Sequence, residues 1–116
     1  MRVKEKRFES RCLCAQLIRV DWPGGPVEAV LEDISALGAC VQVEESVPLG
    51  SPLALSIGKS EFRGHVCYCV YRDYGYFVGI RFAEDTQWSR DQVAPQHLTD
   101  LEAFARHACA EVVSEA

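Results

Sequence analysis

The sequence predicts a mainly β fold, a six-stranded antiparallel β-barrel followed by a C-terminal α-helix. Three observations predict this class. Six short segments alternate apolar and polar residues with a period of two, which is the pattern of half-buried strands. Turn signals connect these segments, and the apolar period changes to three and four residues only near the C-terminus. Strands joined by turns favour an antiparallel barrel or sandwich, and closure into a barrel would hide the edge strands.

The first two predicted strands form a hairpin. The first covers residues 11–22 and stops at Pro23-Gly24-Gly25-Pro26, which is a strong turn signal. The second covers residues 27–34, with apolar side chains at positions 27, 29 and 31 on one face and glutamates at 28 and 32 on the other. This alternation predicts that one face of the hairpin lies in the core.

The alternation continues through four further strands, predicted at 39–44, 52–57, 61–72 and 76–83. A loop around 45–50 follows the third strand, and short reversals at 58–60 and 73–75 separate the last three. The apolar face of the last strand consists of Tyr76, Val78, Ile80 and Phe82. We expect such faces to fill the interior of the barrel.

The chain is predicted to end in a helix. Beyond Pro95, apolar residues recur at steps of three and four, and they are Leu98, Leu101, Phe104, Ala105, Ala108 and Val112. This spacing predicts a helix of roughly fifteen residues that begins near His97 or Thr99 and packs its apolar stripe on the barrel. The chain thus divides into a flexible basic N-terminal segment at 1–12, a barrel at 11–85 and a C-terminal helical segment at 86–116.

Charge is distributed unevenly along the chain. The net charge is −5, yet residues 1–20 hold six basic and two acidic side chains. The acidic remainder argues against nucleic-acid binding, which needs an extended basic face, whereas the basic head suits either the capture of a small anion or a solvated tail. The sequence contains no secretory signal and no apolar run of the ~20 residues that span a bilayer. We therefore expect a cytoplasmic protein whose six cysteines pack as small hydrophobes.

Two short motifs carry most of the functional information. Arg7-x-x-x-Arg11 lies in the basic head, and Asp33-x-Ser35-x-x-Gly38 follows the second strand. Two guanidinium forks can grip an anion, while the second motif offers an acceptor, a hydroxyl and an unobstructed backbone. Because the motifs flank the same hairpin, they can face one ligand, and they indicate a compact, anionic, purine-containing molecule. The aspartate and serine could also form an Asx-type turn, and the two uses are compatible.

The motifs resemble the signature of the PilZ domain family, bacterial receptors for the second messenger cyclic di-GMP. That signature is RxxxR before the first strand and [D/N]xSxxG after the second, and the run Val-Gly-Ile-Arg-Phe at 78–82 is similar to the family's late-strand pattern. The resemblance implies the six-stranded barrel, cyclic di-GMP as the ligand and no cofactor. It implies ligand binding by Arg7, Arg11, Asp33, Ser35 and Gly38. Arg81 lies opposite the apolar face of its strand, so it could add a contact or be an ordinary exposed strand arginine.

The chemistry of these residues suits that ligand, which carries two phosphodiester charges and two guanines. An arginine fork can pair with phosphate oxygens or with guanine O6 and N7, and its plane can stack on a base. Asp33 can accept hydrogen bonds from guanine N1–H and N2–H, and Ser35 can reach a base edge or a phosphate. Gly38 allows either a positive φ angle or a close backbone approach.

A zinc site is the rival to this interpretation. Cys12-x-Cys14 and Cys67-x-Cys69, with His65, could in principle surround a metal ion. Pairs on flat strands converge poorly, however, so we predict no metal.

The sequence contains no catalytic signature, so we predict binding without turnover and no enzymatic activity. Ordering of the basic head by the ligand would then signal to a downstream protein partner. The resemblance suggests motility, pilus or exopolysaccharide machinery as the system that contains this partner. The alternative is a PilZ-like protein-interaction module that binds no nucleotide.

Overall fold

The computed structural model describes residues 11–100 and contains seven β-strands in this range. The first six lie within two residues of the strands predicted from the sequence. The strands are β1 (Cys12–Trp22), β2 (Gly25–Ser35), β3 (Gly38–Val43), β4 (Pro52–Ile57), β5 (Ser60–Arg72), β6 (Gly75–Phe82) and β7 (Thr99–Asp100).

The first six strands close into an antiparallel barrel, which confirms the predicted fold class. Their order around the barrel is β1-β2-β3-β6-β5-β4, and β1 pairs with both β2 and β4 to complete the circle. Every pairing is antiparallel, and the hairpins β1–β2, β2–β3, β4–β5 and β5–β6 join neighbours along the chain. Closure leaves the barrel with few unpaired strand edges, which discourages edge-to-edge association.

The interior of the barrel is apolar, as the alternation predicted. Rings of Phe62 and Phe82 stack inside it with their centroids 5.5 Å apart. Burial of each large side chain contributes about 1.5–3 kcal/mol to stability, before the entropy of ordering the chain is subtracted. The largest fully buried side chains are Phe62, Leu31, Ile34, Leu55, Ile57, Val20, Val41, Val66 and Val78.

The segment after β6 contributes an unpredicted core residue, Trp88. Its side chain is buried, and its indole N–H donates to the carbonyl of Val93 at 2.8 Å. Its backbone N–H donates to the carbonyl of Ala36, in the turn between β2 and β3, at 3.1 Å. Residues 83–98 form turns and irregular structure, and they hold the β2–β3 turn against the core.

The predicted start of the C-terminal helix is wrong. Thr99 and Asp100 form β7, which pairs with Leu13 and Cys12 of β1, and His97 has a left-handed φ of 60°. The pairing of β4 with β1 covers only residues 19–21, so the first part of β1 has an open edge that residues 96–100 fill. The rest of the predicted helix lies outside the described residues. Within residues 11–100, no helix has the length and apolar character needed to cross a membrane.

Candidate functional site

Two β-bulges turn polar side chains outward on the barrel wall. Strict alternation from Leu31 would point Asp33 into the core, but the register of β2 with β3 shifts between these residues and Ile34 is buried instead. The register of β5 with β6 shifts in the same way between Val66 and Tyr68, so the tyrosine ring lies outside. Bulges commonly re-aim side chains near binding sites.

The two outward side chains belong to one row across the barrel. Each member of the row is the pairing partner of the next, on β1, β2, β3, β6 and β5 in turn. In that order the members are Leu13, Asp33, Cys40, Gly79 and Tyr68. A shallow cleft of about 300 Å³ lies over this row, and Glu32, Val70, Arg72 and Phe77 also line it. We call it the wall cleft.

Tyr68 lies directly against the backbone of Gly79. A Cβ at position 79 would be only 2.0 Å from Cε2 of the tyrosine ring, so glycine leaves the space that the ring occupies. Burial, followed by a hydrogen bond with Cys40, raises the pKa of Tyr68 to about 12. Burial likewise raises the pKa of the Cys40 thiol to about 11. Both groups are therefore neutral at physiological pH.

The two sequence motifs meet at the edge of the wall cleft. Nη2 of Arg11 donates to Oδ1 of Asp33 at 2.7 Å, and the side chains are 53% and 17% exposed. The hydrogen bond with the carboxylate raises the pKa of Arg11, so the guanidinium stays charged. Arg7, the other arginine of its motif, lies outside the described residues.

Ser35 and Gly38 occupy the turn that follows Asp33. Ser35 is buried, and its hydroxyl donates to the carbonyl of Gly38 at 3.3 Å. A Cβ on Gly38 would lie 2.4 Å from the carbonyl oxygen of Ile80 in β6, so this glycine permits a close approach of two strands. Its φ angle is not positive, and the structure thus gives Gly38 a packing reason that is independent of any ligand.

Arg81 lies next to the turn that contains Ser35 and Gly38. It is exposed, and in the strand register it lies beside Gly38 on one side and His65 on the other. The structure therefore brings together the described members of the predicted site, Arg11, Asp33, Ser35, Gly38 and Arg81.

Sequence reasoning missed Tyr68 and Cys40 as members of this surface. The alternation indicated the opposite orientation, because Phe62 and Val66 are interior residues of β5 and an aromatic residue at 68 would continue their face. Nothing in that pattern reveals the bulge that turns the ring outward.

The two cysteine pairs of the rival zinc interpretation differ in their burial. Cys12 and Cys14 are buried, whereas Cys67 is exposed and Cys69 accepts a bond from the backbone N–H of Val47 at 3.5 Å. In the part of the chain that the structure describes, no group of three His, Cys, Asp or Glu side chains is placed to hold a metal ion.

Comparisons with known proteins agree with the barrel fold. The structure of the Borreliella burgdorferi PlzA protein in complex with c-di-GMP is similar in fold, with a TM-score of 0.58 and 15% sequence identity. The match covers 80% of this chain and 42% of that one, so this chain spans less than half the length of PlzA. No curated protein matches. The family model of the PilZ domain matches residues 5–94, and the chain belongs to the PilZ domain family.

Proposed function

We propose that this chain is a cyclic di-GMP receptor domain that binds its ligand at the wall cleft. One observation carries the proposal: Arg11 and Asp33, from the two signature motifs, are in contact at the edge of a cleft whose floor includes an outward tyrosine ring. Membership of the PilZ domain family supports it. So does the similar fold of PlzA, whose structure contains c-di-GMP.

The wall cleft offers a partner for each part of a guanine. The Asp33 carboxylate can accept from N1–H and N2–H, and the half-exposed Arg11 can turn its fork to O6 and N7 or to a phosphate. The ring of Tyr68 offers a flat apolar surface on which a base can stack. Arg81, beside Gly38, extends the positive charge, and Arg7 would add the second fork.

Binding requires an exchange of partners at Asp33. In the free protein, Arg11 already occupies one carboxylate oxygen. Because the Arg11 side chain is half exposed, this ion pair is worth about 1 kcal/mol, and the ligand's bidentate contacts outweigh it. Arg11 then leaves the carboxylate and closes over the ligand, while Asp33 stays fixed on β2.

The position of Arg11 also suggests how binding is transmitted. The next residue, Cys12, pairs with Asp100 of β7, so a movement of Arg11 acts on the only two-residue strand in the described structure. Such a short pairing is easily altered. Ligand binding would therefore change the pairing of β7 with β1, and a downstream protein partner would respond to that change. Family resemblance suggests motility, pilus or exopolysaccharide machinery as the setting.

The chemistry of the cleft favours binding without turnover. The raised pKa values keep Tyr68 and Cys40 neutral, so these two groups suit hydrogen bonding better than proton transfer at neutral pH. A receptor for a second messenger acts where the messenger is made, so we assign the chain to the cytoplasm.

Isothermal titration calorimetry of the full chain with cyclic di-GMP tests this function. We expect saturable heat at micromolar ligand with tens of micromolar protein. Absence of heat under these conditions would contradict the proposal and favour the alternative, a PilZ-like interaction module that binds no nucleotide. Asp33→Ala is the matched variant, because it removes the acceptor while leaving Arg11 free to bind phosphate.

A further inference from the structure

The barrel wall opens between β2 and β3 at the end opposite to their connecting turn. β3 remains paired with β6 as far as Val43 and Tyr76. β2 remains paired with β1 as far as Gly25 and Trp22. Pairing between β2 and β3 stops at Val30–Gln42. Among residues 11–100, the segment 25–29 of β2 therefore has a strand partner on the β1 side only.

A groove of about 610 Å³ occupies this opening. Its walls combine exposed apolar side chains, including Leu17 and Tyr74, with three glutamates, Glu28, Glu44 and Glu45. No lysine or arginine is among the described residues that line it. We call it the acidic groove. Along β2 it ends at Val30, whereas the wall cleft begins at Glu32, and the buried Leu31 lies between them.

We infer that the acidic groove binds an extended segment of a partner protein, which adds as a strand to the open edge of β2. An open strand edge presents backbone N–H and C=O groups that a partner strand can pair with. Because Pro26 has no N–H, such pairing would centre on residues 27–29. The three glutamates select a segment rich in lysine or arginine, and the apolar wall selects alternate apolar side chains.

An extended segment fits the site better than a helix or a nucleotide. A helix satisfies its own backbone groups and would leave the edge of β2 unpaired. A nucleotide would bring negative charge to the three glutamates, which repel it. Strand addition satisfies the backbone, the charges and the apolar wall together.

Fluorescence polarisation with a defined peptide tests the inference on the full chain without nucleotide. The probe is a labelled seven-residue peptide of alternating lysine and valine with blocked ends, and saturable binding below about 1 mM is expected, the weak end of the protein affinity range. Two isomers of the probe carry N-methyl groups on the lysine amides or on the valine amides. At least one isomer should bind about tenfold more weakly, because methylation removes the N–H groups that face β2.

A pair of charge variants supplies the matched control. Glu44→Lys/Glu45→Lys should weaken binding about tenfold, the order expected when two exposed attractions become repulsions. Glu84→Lys/Asp91→Lys makes the same change of net charge at exposed positions after β6, and should weaken it far less.

Several outcomes would overturn the inference. They are absence of binding at 1 mM peptide, equal binding by both methylated isomers and the parent, and equal losses in the two charge variants. Amide hydrogen exchange tests whether another segment already occupies the acidic groove. Protection of every amide from 27 to 29 in the free protein would show that the chain itself, or a second copy, fills the groove. Because the assay contains no nucleotide, its result is independent of cyclic di-GMP binding.

Discussion

The contact between Gly79 and Tyr68 offers a way to move the proposed stacking ring without changing its chemistry. A Cβ at position 79 would lie 2.0 Å from Cε2 and 2.4 Å from Cδ2 of the ring, and its three nearest neighbours all belong to Tyr68. The ring is the far end of a side chain that is 41% exposed, so it can move outward. We therefore expect Gly79→Ala to displace the ring and leave the barrel folded.

The size of the effect follows from the loss of stacking. A base stacked on an aromatic ring is worth about 1–3 kcal/mol. At about 1.4 kcal/mol per factor of ten, Gly79→Ala should weaken cyclic di-GMP binding by roughly 5- to 150-fold. The free energy of unfolding should fall by only about 1 kcal/mol, since the ring loses its contacts with the barrel wall. Calorimetry measures the affinity, and urea unfolding measures the stability.

A double-mutant cycle decides whether the ring causes the loss. In the Tyr68→Ala background nothing remains for the new methyl group to displace, so Gly79→Ala should change the affinity by less than about twofold. Equal losses in the two backgrounds would refute the reasoning. So would a Gly79→Ala variant that binds cyclic di-GMP as tightly as the wild type.

Three further predictions address the arginine clamp, the strand packing and the buried thiols. Arg7→Ala and Arg11→Ala should each weaken cyclic di-GMP binding by about 30- to 150-fold, as for loss of a bidentate contact, and Lys4→Ala far less; equal losses in calorimetry would indicate nonspecific attraction. Gly38→Ala would place a Cβ 2.4 Å from the Ile80 carbonyl oxygen, so urea unfolding should show a free energy of unfolding lower by about 2 kcal/mol or more. In the control variant Gly24→Ala the nearest atom is 3.9 Å from the new Cβ, and the loss should be under about 1 kcal/mol. Burial raises the pKa of Cys14 to about 12 and of Cys40 to about 11, from 9.0. The folded state then keeps thiol protons that the unfolded chain releases, so the free energy of unfolding should fall as pH rises from about 9 to 11. Urea unfolding at pH 8 and 10.5 measures this fall, which should be smaller in Cys14→Ala/Cys40→Ala.

The strands could be predicted because their periodicity is local. Each of the six predicted strands exists, and side chains such as Leu31, Leu55 and Val78 are buried as the alternation required. The meeting of Arg11 with Asp33 was also predictable, because both positions flank one hairpin and its register brings Leu13 beside Asp33.

The remaining features depend on contacts between segments distant in sequence. The bulges before Asp33 and Tyr68 each add one residue to a strand, and alternation alone does not show where a register shifts. The replacement of the helix start by β7 depends on the open edge of β1, which exists only once β4 has paired elsewhere. The place of Tyr68 in the candidate site could not be predicted either, because the pairing of β5 with β6 sets the orientation of its ring.

The location of cyclic di-GMP on the barrel wall is tested most directly by amide chemical shifts of the ¹⁵N-labelled full chain during a ligand titration. We expect the largest changes at the amides of the wall row, Leu13, Asp33, Cys40, Gly79 and Tyr68, with saturation at the affinity that calorimetry gives. Changes confined to the acidic groove, around Glu28 and Glu44, would contradict the assignment of the site. So would a spectrum that the ligand leaves unchanged.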